Sequence, residues 1–161
     1  MLAAALRRRF RYHAWAGARL ADALDGDAPR TALRPLAHAL TADRVWLLRL
    51  RGEPTDGVAL WPALDADGVR ALARLNAGAW AALLAPADAD LPDAALAERV
   101  AYTDSRGKGH DTARGDILEH VLLHAAYHRG QAAAALRAAG VAPPATDYVL
   151  WLRLGEPDAD R

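Results

Sequence analysis

Proline and glycine fall between blocks of this chain rather than through them, and that placement constrains the fold more than any other feature. The blocks are rich in Ala and Leu and poor in β-branched residues, which favours helices joined by short connections. In the first block, about Leu2 to Leu24, Leu6, Phe10, Ala14, Gly17, Ala21 and Leu24 recur at spacings of three and four, on one helical face. Asp25-Gly26-Asp27 and Pro29 break it. A second helix is predicted from Thr31, through Leu36, Leu40, Leu47 and Leu50, to Gly52, with Pro35 in its first turn. Glu53 to Asp65 reads as a loop carrying Trp61-Pro62. A third helix follows from Asp67 to Ala85, with Leu72, Leu75, Ala79 and Leu83 inward and Pro86 as its stop.

From Ala87 to Ala113 the helical period disappears. Arg99 to Thr103 alternates like a strand, and Ser105 to Gly109 supplies turn residues, so a short β-hairpin is predicted there. A fourth long helix should start with Thr112 as cap and end at Gly140, before Pro143-Pro144. Thr146-Asp147 caps a last short helix through Leu154. The class is therefore all-α, and 161 residues suit one domain, 1–161.

Composition narrows the partners. Twenty Lys+Arg balance twenty Asp+Glu, so no basic surplus recommends nucleic acid. No window approaches the roughly 18 to 20 apolar residues of a membrane span, and Arg7 to Arg9 follow the apolar start instead of preceding it, against a secretory leader. The expectation is a cytoplasmic protein. With no cysteine, a metal site must use His, Asp or Glu.

His120, His124 and His128 recur at i, i+4 and i+8. At about 100° per residue, His124 and His128 share the stripe of Ile117, Val121, Ala135 and Ala139. His120 lies on its flank, and Glu119, Arg129 and Arg137 lie well off it. Two imidazoles in an apolar stripe need partners for their ring nitrogens, and neighbours at i, i+4 can converge on one ion. The alternative is a pair of hydrogen-bonded core histidines. Ala125 stands where a zinc protease of the HExxH type has its glutamate, so that chemistry is excluded. On pattern alone His38 is a rim residue beside Ala42 and Val45, while His13 and His110 look solvated or loop-borne. Asp43 shares the face of Leu36, Leu40, Leu47 and Leu50, where a carboxylate must ligate, orient a ligand histidine or form an ion pair.

The segments Tyr12 to Ala16, Leu36 to Leu47, His124 to Gln131 and Pro143 to Tyr148 together resemble the DinB-like (DinB/YfiT-like) family of metalloenzymes. The resemblance covers nearly the whole chain. It implies an up-down-down-up four-helix bundle with a long connection before the fourth helix. It also implies a divalent metal site of one histidine from the second helix and two from the fourth, here His38, His124 and His128. Gln131, in the motif tail, is expected to pack and hydrogen-bond in the interior. His13 departs from the pattern, because relatives often carry Asn there.

Imidazole sites accept Zn, Ni, Fe, Cu and Mn, so residue types leave the metal open. The resemblance further implies a metal-dependent transferase using a low-molecular-weight thiol cosubstrate and a small-molecule substrate, in a homodimer. Two other readings remain: a non-catalytic metal- or ligand-binding bundle associated with stress, and metal-assisted hydrolysis with Asp43 or Glu119 near the ion.

Overall fold

The structure is a computed structural model that describes residues 2–24, 28–85 and 93–159. Among these, six helices and one two-stranded sheet follow in the order α1 (Leu2–Asp22), α2 (Arg30–Leu50), α3 (Ala66–Leu83), α4 (Asp93–Ala97), β1 (Arg99–Thr103), β2 (Gly109–Ala113), α5 (Arg114–Ala138) and α6 (Tyr148–Arg153). The breakers at 25–27 and at 86 lie outside the described residues. No described helix is long and apolar enough to cross a membrane.

Helix ends follow local chemistry. Asp65 caps α3 by accepting from the Gly68 amide at 2.8 Å. Gly52 and Gly140, at φ 68° and 80°, take the left-handed conformation that closes α2 and α5 as foreseen. Helix α2 starts at Arg30 behind Pro29, so Pro35 is its sixth residue and lies in the second turn, inside the helix, instead of in the first. Thr112 does not cap α5: it belongs to β2, paired with Val100, and Ala113 precedes the helix without a side-chain cap. The predicted hairpin is present, with Tyr102 opposite His110 and Gly107 at φ 79° in the turn. Asp104 shapes that turn by accepting from the Arg106 and Lys108 amides at 2.9 and 3.0 Å.

The four long helices pack in a ring: α2 lies against α5 and α3, and α1 against α3 and α5. Their shared interior has two apolar ends. Leu20, Leu24, Leu36, Leu40, Val69 and Leu136 fill one; Leu6, Phe10, Leu47, Trp80, Ile117 and Val121 fill the other. Helix α6 adds a satellite, Trp151 packing with Trp15 and Ala16. The inward face of α3 is Val69, Ala73, Asn76 and Trp80, and Leu75 is 56% exposed, so the face predicted from leucines is rotated by about one residue. The reason is Asn76, a buried polar residue whose amide donates to the Leu40 carbonyl at 2.7 Å.

Between the apolar ends runs one polar layer to which every long helix contributes: His13 from α1, Asp43 from α2, Asn76 from α3 and Arg129 from α5, all buried. Together with Trp80 they line a cavity of about 20 Å³, room for one water molecule.

Candidate metal centre

His38 of α2 meets His124 and His128 of α5, with ring centroids 5.2 and 4.7 Å from it and 4.5 Å from each other. One ring nitrogen from each lies within 4.8 Å of the others. Two of the three rings are oriented by hydrogen bonds. His38 Nδ1 donates to the Leu60 carbonyl at 2.7 Å, and His128 Nδ1 donates to Gln131 Oε1 at 2.7 Å, which leaves both Nε2 lone pairs free. The indole of Trp61 stacks on His38, centroids 3.7 Å apart and planes 5° apart, and the Arg34 guanidinium lies over the same indole, 5.0 Å from its centroid. A histidine-only donor set with tautomers fixed in this way fits a divalent ion.

His38, His124 and His128 are brought together. His120 is not part of the group; it is exposed, its ring tilted against His124 at 5.4 Å and edge-on to Trp46 at 5.4 Å. His124 is half-buried at the border of the α5 stripe instead of at its centre, because the buried line runs through Val121, Ala125, His128, Arg129, Ala132 and Leu136. Gln131 is exposed, yet it makes the bond to His128, so its role is hydrogen bonding without burial. His110 lies on β2, not in a loop, and pairs with Asp104 at 2.9 Å, which holds the Asp104 carboxyl at about 2.

Two expectations fail at the polar layer. His13 is buried, not solvated, and its Nε2 donates to Asp43 Oδ2 at 2.8 Å. Arg129 is buried too, and its guanidinium donates to His13 Nδ1 at 3.2 Å and lies over the Tyr12 ring. Proton positions follow: Arg129 cannot accept, so Nδ1 is the acceptor and Nε2 carries the proton. Burial pushes the Arg129 guanidinium down from the usual arginine range, and Tyr12 and Asp43 oppose it. Asp43 is thus tied to an arginine through a histidine outside the metal-type group. The ion-pair role foreseen for it is realised through an intermediary. The overlooked signals were spacing: His13 follows Phe10 by three and Leu6 by seven, on the inward face of α1. Trp61 offered no signal beyond its loop position.

Desolvation lowers the His124 imidazole to about 4, with the neighbouring His128, His120 and His38 adding to it, and burial also lowers His128. In the unfolded chain an imidazole titrates near ~6.5. Between these values the unfolded state binds the extra proton, so stability rises with pH through that window and this contribution is flat above it. The urea midpoint at pH 5 is therefore expected below that at pH 7, with the His124→Gln variant showing a smaller difference. Equal midpoints in the wild type would contradict the lowered His124 and His128 imidazoles.

Helices that converge three imidazoles on one point define a helical protein with a histidine cluster compatible with a metal site. The DinB family model matches residues 15–159, and the chain belongs to the DinB family. No curated protein and no solved structure gives a significant match.

Proposed function

We propose that this DinB-family chain is a metal-dependent enzyme that transfers a low-molecular-weight thiol to a small-molecule electrophile, with His38, His124 and His128 holding one divalent ion, Zn, Ni, Fe or Mn. The observation that carries the proposal is an open cleft of about 620 Å³ whose lining includes His38 and His124, so the imidazoles face a space of substrate size. A closed site would have favoured a structural or storage role. The absence of cysteine from the chain fits a sulfur nucleophile delivered by the cosubstrate.

Bound at the three imidazoles, a divalent ion supplies Lewis acidity, lowering the pKa of a thiol or water at an open position. In the transfer the thiol gives up its proton and sulfur bonds to the electrophilic carbon. The bond to the leaving group breaks, and that group departs with its electron pair and takes up the proton. Leu60, Gln131 and Trp61 keep the rings of His38 and His128 in register for this. The hydrolytic reading loses its two carboxylates, since Asp43 bonds to His13 and Glu119 pairs with Arg9 at 2.8 Å.

We also take the four long helices to run up-down-down-up in one domain over residues 1–161, and the protein to act as a cytoplasmic homodimer. Family membership supports the topology, and the exposed Leu123 and Tyr127, one turn apart on α5, support self-association. The test is elemental analysis of tag-free protein purified without chelator, followed by a thiol panel with chlorodinitrobenzene. Metal-dependent conjugation is expected with at least one thiol. Stoichiometric metal with no turnover across the panel would instead establish the metal-binding, non-catalytic reading.

A further inference from the structure

Eleven residues separate His38 from Arg49 on α2, three turns to within about 20°, so both project from the same side of the helix across roughly 16 Å of rise. Ala42, Val45 and Trp46 lie between them and make an apolar floor. All five residues line the one cleft, closed on its other sides by Val58 and Leu60 with Thr55 and Asp56 of the loop, and by Tyr102 with the polar turn residues of the hairpin, so polar groups face the apolar floor. The cleft thus has imidazoles at one end and a guanidinium at the other.

Arg49 is held as a binding group. Its guanidinium lies 4.6 Å over the Trp46 ring and 4.7 Å over the Tyr102 ring, and Nη2 donates to the Thr103 carbonyl at 2.7 Å. Its Nε is buried with no hydrogen-bond partner, and no carboxylate forms an ion pair with it among the described residues. A partly buried arginine, fixed by two rings and a carbonyl and with no described carboxylate within ion-pair distance, is complementary to an oxyanion, Asp104 acting on it only by longer-range attraction. Asp56 and Asp104 also line the cleft, Asp104 already hydrogen-bonded to His110, and their negative charge disfavours any ligand anion beyond the one that Arg49 balances.

Resting on the metal-centre reading above, we infer that the cleft binds an extended thiol with an apolar middle and a single carboxylate, the sulfur toward His38 and His124 and the carboxylate on Arg49. The apolar floor selects the carbon chain, and Arg49 selects its charged end.

The full chain loaded with cobalt(II) is titrated with mercaptohexanoate and with mercaptohexanol, matched in length, and the sulfur-to-cobalt absorption is read. The acid binds the wild type roughly ten- to a hundredfold more tightly than the alcohol, the range for a hydrogen bond between charged groups. Arg49→Gln erases that preference while the alcohol's affinity is retained, and Arg49→Lys restores part of it. Equal binding of acid and alcohol to the wild type, or a preference that survives Arg49→Gln, overturns the inference. A second readout needs no metal: hexanoate added to metal-free protein shifts the Arg49 Nε–H resonance. Failure of cobalt uptake with that shift present refutes the metal centre alone; an unmoved resonance refutes the carboxylate site.

Discussion

His124→Ala and His128→Ala each abolish stoichiometric binding of a divalent ion, while Gln131→Ala only weakens it. The ranking follows from position. The alanine variants remove a nitrogen that can bond the ion, leaving two imidazoles of three. Gln131→Ala removes the acceptor that fixes the His128 tautomer, a loss worth roughly 10–100-fold in affinity. The direct losses must exceed that range. His120→Ala, next to the group but outside it, leaves stoichiometry unchanged. Competition titration against a chromophoric chelator measures all four. Retention of one ion per chain in both His124→Ala and His128→Ala would remove these residues from the centre.

Arg129→Met destabilises the fold by about 3–5 kcal/mol, since it leaves Asp43 buried without the charge that balances it through His13. For a chain of this size that is a fall in Tm of roughly 6–20 °C. Asp43→Leu, which strands the guanidinium instead, costs a similar amount. The double variant Asp43→Leu/Arg129→Met is expected to lose much less than the sum of the singles, because an apolar replacement of the whole pair removes the desolvation penalty with the attraction. Urea unfolding of the four proteins closes the cycle. Additive losses would mean that His13 does not couple the two charges.

Much of the frame could be read from residue order. The boundaries of α1 to α3, the strand at Arg99–Thr103 and the glycines ending α2 and α5 follow from periodicity and backbone preference, which are local properties. What failed had a common cause. The sequence places Leu75 inside and Arg129 and His13 outside, and passes over Asn76, because a hydrophobic period counts apolar side chains, whereas the buried faces here include polar ones satisfied by partners on other helices. Such partners are a tertiary fact. His38 shows the same limit from the other side: its own helix gives no reason to choose it, and only the family resemblance placed it with His124 and His128. The acceptor at Leu60 and the stacked Trp61 belong to a loop whose path no period encodes.

Alanine-rich helical faces are nearly interchangeable from one turn to the next, so apolar packing alone would tolerate a rod sliding past its neighbours by about 5.4 Å. The polar layer removes that freedom. A slip of α5 by one turn would carry Arg129 into a greasy end of the interior and part it from His13, and a slip of α2 would do the same to Asp43. The charged layer is therefore the index mark of the assembly. It sets which turn of α2 faces which turn of α5, and so whether residues 38, 124 and 128 arrive at the same height.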